Sequence, residues 1–252
     1  MTPIARRSLL AALGTALLGA GEAAAFGQTG TFNPRLLIAG GLKPDTIRAS
    51  ATARWAWELV QRTSAPARLV PGRVAADAGE LLDEPFAVWA GGGELPPLSG
   101  PELRGLERFL RLGGVLVVDD HEPNRGAFTK SARRELARVL PDAGVVKLDA
   151  SHVLYKTFFI VDRPVGRVLG PPQIEAIVRG RNAQVLFLAH DLLGALARGR
   201  GAWAFDVDPG GAEQREHAVR FAVNIAMYVL CSDYKDDQVH APWLMRRRAG
   251  RR

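Results

Sequence analysis

From Arg35 onward, apolar runs of strand length alternate with longer amphipathic segments, and this alternation most narrows what the chain can fold into. It predicts an α/β domain with a largely parallel sheet. Strands are expected at Arg35–Ala39, Ala67–Val70, Phe86–Ala90, Val115–Asp119 and Val145–Leu148. Each is nearly continuous in apolar residues, the pattern of a strand covered on both faces. Helices are expected at Arg48–Arg62, from the Ser99 cap to Leu112, and at Thr129–Leu140. Ser99 is followed three residues later by Glu102, with Pro101 in the first turn, which reads as a capping box. Gly113 and Gly114 then end that helix, and Pro141 stops the next. Ile174–Arg179 and Gln184–Ala189 flank Gly180 to Ala183, a hairpin signal, so antiparallel pairing is expected in the second half. Asp191 caps a short helix to Arg198, and Glu213–Leu230 is the longest helix expected. With no internal repeat in view, one domain is the simplest organisation.

The two ends of the chain read differently from its body. Arg6 and Arg7 precede an apolar run from Ser8 to Ala20, and Ala23 and Ala25 supply the small residues of a cleavage site near Ala25/Phe26. Arg6, Arg7, Ser8, Leu9 and Leu10 resemble a twin-arginine signal. The run is too short to span a bilayer, which takes roughly 20 residues. Residues 1–25 are therefore expected to be an export signal, 26–232 the α/β domain, and 233–252 an extension with a basic tail. A periplasmic or otherwise exported protein with no mature transmembrane segment follows.

The 252 residues carry a formal charge of +7, which at first invites a nucleic-acid partner. The leader accounts for +1 and the arginines at 246, 247, 248, 251 and 252 for +5, so the body is left at +1. Nucleic acid is thus not an expected partner, and the tail is expected to be solvated, with contact to anionic lipid as its other use. One cysteine, Cys231, excludes an intramolecular disulfide and a cysteine-rich zinc site. It follows a helix rather than a strand, and is expected to be buried or half-buried.

In an open α/β sheet, ligands bind at the carboxyl ends of the strands, so the polar residues after each apolar run are the candidates. Asp119, Asp120, His121 and Glu122 follow one strand. Carboxylate and imidazole suit a hard metal or acid and base work, or else one aspartate caps the loop and the rest face water. Asp149, Ser151, His152 and Tyr155 follow another strand, and His190 and Asp191 a third. Asp120, His152 and Asp191 are therefore a possible mixed cluster, with His152 and Tyr155 as structural hydrogen-bonding groups the plainer alternative. Gly91, Gly92 and Gly93 form a loop but lead into Pro96 and Pro97 rather than a helix, so a phosphate cradle lacks its helix N-terminus. Neither G-x-G-x-x-G, a P-loop nor a G-x-S-x-G elbow occurs, which disfavours dinucleotide, NTPase and serine-hydrolase readings. The sequence names no particular cofactor and leaves a metal open.

Several segments in order resemble the bacterial family DUF4159 over about Phe32 to Arg248. They are Phe32 to Leu36, Pro85 to Trp89, Leu112 to Asp120, Ser151 to Phe159, Leu188 to Leu192, Arg220 with Asn224 to Tyr228, and Tyr234 to His240. The resemblance implies a fold similar to class I glutamine amidotransferases, a flavodoxin-like three-layer sandwich. Those enzymes place a cysteine in a strand-to-helix elbow, where this chain has Asp119, Asp120 and His121. It also implies an envelope-associated protein, in a family some of whose members lie near MoxR-type ATPase and von Willebrand A proteins. The expected function is a noncatalytic module binding an envelope protein or a small ligand. The alternative is a hydrolase-type enzyme using the Asp/His cluster, with or without a metal.

Overall fold

The computed structural model describes residues 30–249, with side chains to Ser232. The expected leader, residues 1–25, and the side chains of the basic tail lie outside that description. Seven strands form one sheet: β1 Arg35–Ile38, β2 Arg73–Ala75, β3 Phe86–Gly91, β4 Val115–Asp120, β5 Val145–Leu148, β6 Ile174–Arg179 and β7 Asn182–Leu188. Their spatial order is β2-β1-β3-β4-β7-β6-β5. The first five strands in that order are mutually parallel, in the 2-1-3-4-5 arrangement of flavodoxin-like sheets. β6 is antiparallel to both β7 and β5. The sheet is thus a parallel body extended at one edge by the reversed β6 and then by β5.

Both faces of the central strands are covered, which is why they read as unbroken apolar runs. In β4, Val115 and Val117 join the core beneath α1 Ser50–Arg62, α4 Leu192–Leu196 and α5 Gly211–Ala249. Leu116 and Val118 join the opposite core beneath α2 Gly100–Arg111 and α3 Ala127–Val139. Trp55 anchors the first core among Phe32 and Phe86 and donates its indole N–H to the Ala222 carbonyl at 2.7 Å. Trp89 anchors the second core edge-on to Phe128. A small ribbon, β8 Arg198–Gly199 with β9 Ala202–Trp203, lies outside the main sheet. No helix among the described residues is long and apolar enough to cross a membrane.

The capping box opens α2: the Glu102 carboxylate accepts from the Ser99 backbone N–H at 2.8 Å, and Ser99 Oγ accepts from Glu102 N. Gly105 allows α2 to lie on the chain after β2, because a Cβ there would sit 1.8 Å from the Ala76 carbonyl oxygen.

Three expectations are corrected. Ala67–Val70 is not a strand: Ala67 makes only an isolated bridge to Phe32, Val70 is 91% exposed, and β2 forms instead at Arg73–Ala75. β2 buries a single side chain, Val74, so it carries no apolar run to be recognised. The last helix continues to Ala249 rather than stopping at Leu230. Cys231 is exposed rather than buried.

Candidate functional site

β4 ends in two consecutive aspartates, and strand alternation sends them to opposite faces. Asp119 faces α4, where its two oxygens accept from Leu192 N and Leu193 N, each at 2.8 Å. Asp120 faces α3 and accepts from Glu122 N at 2.9 Å, Thr129 N at 3.1 Å and Thr129 Oγ1 at 2.8 Å. It therefore satisfies an otherwise unpartnered donor in the first turn of α3.

β7 runs beside β4, with Asp119 opposite Leu188, so the residues just past β7 meet the end of β4. Asp191 caps α4 from a left-handed backbone (φ 52°) and accepts from Gly194 N at 2.9 Å. Arg48 of the loop before α1 grips the same carboxylate with two donors, at 2.9 and 2.8 Å, and Arg167 adds a third charged contact. Asp119, His121 and Asp191 each offer a ligand atom within 4.8 Å of the others.

Burial and the neighbouring charge of Asp191 push the Asp119 carboxyl well above the ordinary range, against the pull of its two backbone donors. Burial, aided by the Arg48 charge, lowers His121 to about 4. Its Nε2 is buried and has no partner among the described residues. These side chains suit a hard cation by type, but two guanidiniums already answer Asp191 and would stand against any ion placed there. The adjoining hollow, lined by Asp45, Arg48, His121 and Leu193, measures about 10 Å³, roughly the room of one water. This cluster is a closed ionic knot.

The remaining predicted residues lie elsewhere. His152 caps the short turn Val153–Lys156, its Nδ1 accepting from Leu154 N at 3.3 Å, and its ring sits 6.0 Å from that of Tyr228. Tyr155 donates to the Leu148 carbonyl at 3.0 Å and accepts from Ile174 N at 3.2 Å, pinning β5 and β6 to the turn. Asp119, His121 and Asp191 are brought together; Asp120, His152 and Tyr155 each serve a separate local structure.

A roomier space opens on the α3 side, at the carboxyl end of β7. It measures about 270 Å³ and is lined by Thr129 and Arg133 of α3, Lys147 of β5, Glu175 of β6, Phe187 of β7, and Pro171 to Gln173 with Ala189 and His190. Beyond α3 the sheet continues into β6 and β5, and the space lies in that step. Arg133 pairs with Glu175 and lies over the Phe187 ring at 4.4 Å. His190 meets the Pro171 carbonyl at 2.8 Å; since a carbonyl only accepts, Nε2 carries the proton. Nδ1 is then a lone-pair acceptor, buried and without a partner among the described residues. Burial holds His190 at about 4. Gly170, at φ 58°, makes this approach possible, because a Cβ there would lie 2.4 Å from the imidazole.

Sequence reading missed Arg133, Lys147, Gln173, Glu175 and Phe187, which come from different elements and form no motif. The sole available signal was position: His190 follows a β-rich run. A second hollow, of about 500 Å³, lies between α1 and α5. Arg54, Arg62 and Arg215 are matched there by Glu58, Asp206 and Glu216, and Arg62 holds Glu216 down at about 2.

A family model described as "Domain of unknown function (DUF4159)" matches residues 37–230. No curated protein matches the chain.

Proposed function

The chain belongs to the DUF4159 family, and from that premise we propose that it is an exported, noncatalytic binding module of the bacterial cell envelope whose small ligand seats beside His190. One observation carries this reading. The polar cluster at the end of β4 is sealed, with Asp119 and Asp191 both at 0% exposure, while the neighbouring space at the end of β7 has room for a small molecule. Ligand sites are concave, mostly apolar, and furnished with a few convergent polar groups. The twin-arginine-like leader supports export, and the near-neutral body speaks against a nucleic-acid partner. The full chain should show a raised melting temperature with at least one compound in a screen of envelope metabolites. Gln173→Trp, which places an indole at the exposed mouth, should abolish that response. Hits that survive Gln173→Trp, or no hits at all, overturn the reading.

A hydrolase-type enzyme is the second reading, and one observation favours it: Asp119, His121 and Asp191 converge, with His121 Nε2 unanswered. Stoichiometric metal in the purified full chain that is lost in Asp119→Ala, together with hydrolytic activity lost in the same variant, would establish it in place of the first.

A further inference from the structure

We propose that the space beside His190 recognises a small organic monoanion, its apolar body against Phe187, Pro171 and Pro172 and its single negative charge toward Lys147. This rests on the binding-module reading and names the class of ligand.

The charges in the lining favour an anion. Arg133, Lys147 and Glu175 are its ionic residues, and Arg133 and Glu175 are paired with each other. Lys147 has no carboxylate partner among the described residues, although it sits directly across the strand pair from Glu175. The lining is left with one positive charge in excess, and a ligand bearing one negative charge would balance it. A cationic ligand finds no free carboxylate, since Glu175 is engaged by Arg133. A polyanion finds only one spare ammonium.

The rest of the wall sets the body of the ligand. Phe187, Ala189 and the two prolines offer apolar surface, and His190 is a neutral imidazole whose N–H is committed to Pro171. The strap carrying Pro171 and Pro172 is tied down on its approach by Arg163, which donates to the Gly170 carbonyl at 2.8 Å. With about 270 Å³ between strap and sheet, the space suits a single ring or a short branched chain rather than a peptide.

The test uses the full chain and three probes: benzoate, its neutral isostere benzamide, and acetate, which has the charge without the ring. In an NMR titration at low ionic strength, the backbone amides of Gln173 and Ala189 should move with benzoate. Benzoate should bind more tightly than either other probe by about threefold or more, the scale of one partly exposed ion pair, and added salt should erode that margin. Lys147→Met should remove the preference for benzoate over benzamide, and Lys147→Arg should keep it. Lys147 is exposed, so neither variant threatens the fold. Equal affinity for benzoate and benzamide, both lost in Gln173→Trp, overturns the monoanion inference and leaves the binding-module reading standing. Absence of any shift at Gln173 and Ala189 with all three probes also overturns it, and the metabolite screen then decides the broader reading by itself.

Discussion

The carboxyl ends of β4 and β7 are neighbours in the sheet, yet they use polar side chains in opposite ways. At the end of β4, Asp119 is met by two backbone donors, and nearby Asp191 is met by Arg48, Arg167 and Gly194 N. At the end of β7, Lys147 has no carboxylate partner among the described residues, while a buried imidazole nitrogen is left unanswered at both ends, His121 Nε2 and His190 Nδ1. A dense run of ionisable residues in a sequence thus reports where the chain must hold itself together as readily as where it reacts. The difference lies in how completely each charge is answered, not in how many groups are present.

The sharpest break in this comparison comes from cutting the knot. Asp191→Ala leaves the half-buried Arg48 and Arg167 without their shared carboxylate, with Asp45 still beside Arg48, and chemical denaturation should register a loss of about 2–3 kcal/mol. A loss below about 1 kcal/mol would mean that the cluster is not structural.

Acid titration probes both ends together. Burial carries His121 and His190 from their ordinary value near 6.5 to about 4. As the pH falls through 6.5, the unfolded chain takes up protons that the folded chain refuses until about pH 4. Stability should therefore decline across that window, by up to about 1.4 kcal/mol per pH unit for each histidine. Asp119 acts in the opposite sense: its folded carboxyl holds a proton above the ordinary carboxylate range, so its contribution weakens as the pH rises. His190→Gln retains a donor for the Pro171 carbonyl and should flatten the acid limb by roughly one histidine's share. An unchanged slope in denaturation curves at pH 4.5 to 6.5 would rule out His190 as a source.

Smaller effects follow. Asp120→Ala removes the acceptor for Glu122 N and Thr129 N, and unfolding measurements should show a cost of about 1–2 kcal/mol. Ligand response should persist, because Asp120 holds α3 rather than the ligand. Lys147→Met should change stability by less than about 0.5 kcal/mol while altering probe selectivity. That is the signature of a group placed for recognition.

How much of this was legible in the sequence depended on the range of the signal. The α2 capping box was readable because Ser99 and Glu102 are three residues apart and act on each other. β3 and β4 were readable because burial on both faces leaves an unbroken apolar run. β2 was not, because its place is fixed by pairing Leu36 with Arg73 and Leu37 with Val74 rather than by its own composition. At the candidate sites, Asp119 and Asp191 were visible singly. Their meeting depends on β4 lying beside β7, and nothing local specifies that neighbour. The space beside His190 was still harder to read, since Arg133, Lys147, Glu175 and Phe187 come from a helix and three strands. The resemblance to DUF4159, which the family match over residues 37–230 bears out, was readable because it draws on the order of many weak segments, and the flavodoxin-like sandwich it implies agrees with the sheet order.

The reversed strand next to the sheet's edge also sets an order of assembly. Synthesis delivers β5 first, but β5 pairs only with β6, and β6 joins the sheet only through β7, which docks on β4. This flank is therefore completed in the reverse of the order in which a ribosome makes it. Lys147, Glu175 and Phe187 sit on those three strands, so the pocket they share comes into being only after the late strand has been laid down. Until then β5 has no strand on either side, whereas in the finished sheet it is the outer strand with Val145 and Val146 still exposed, and the span from β5 to β7 is the window in which a nascent chain is most open to pairing with the wrong neighbour.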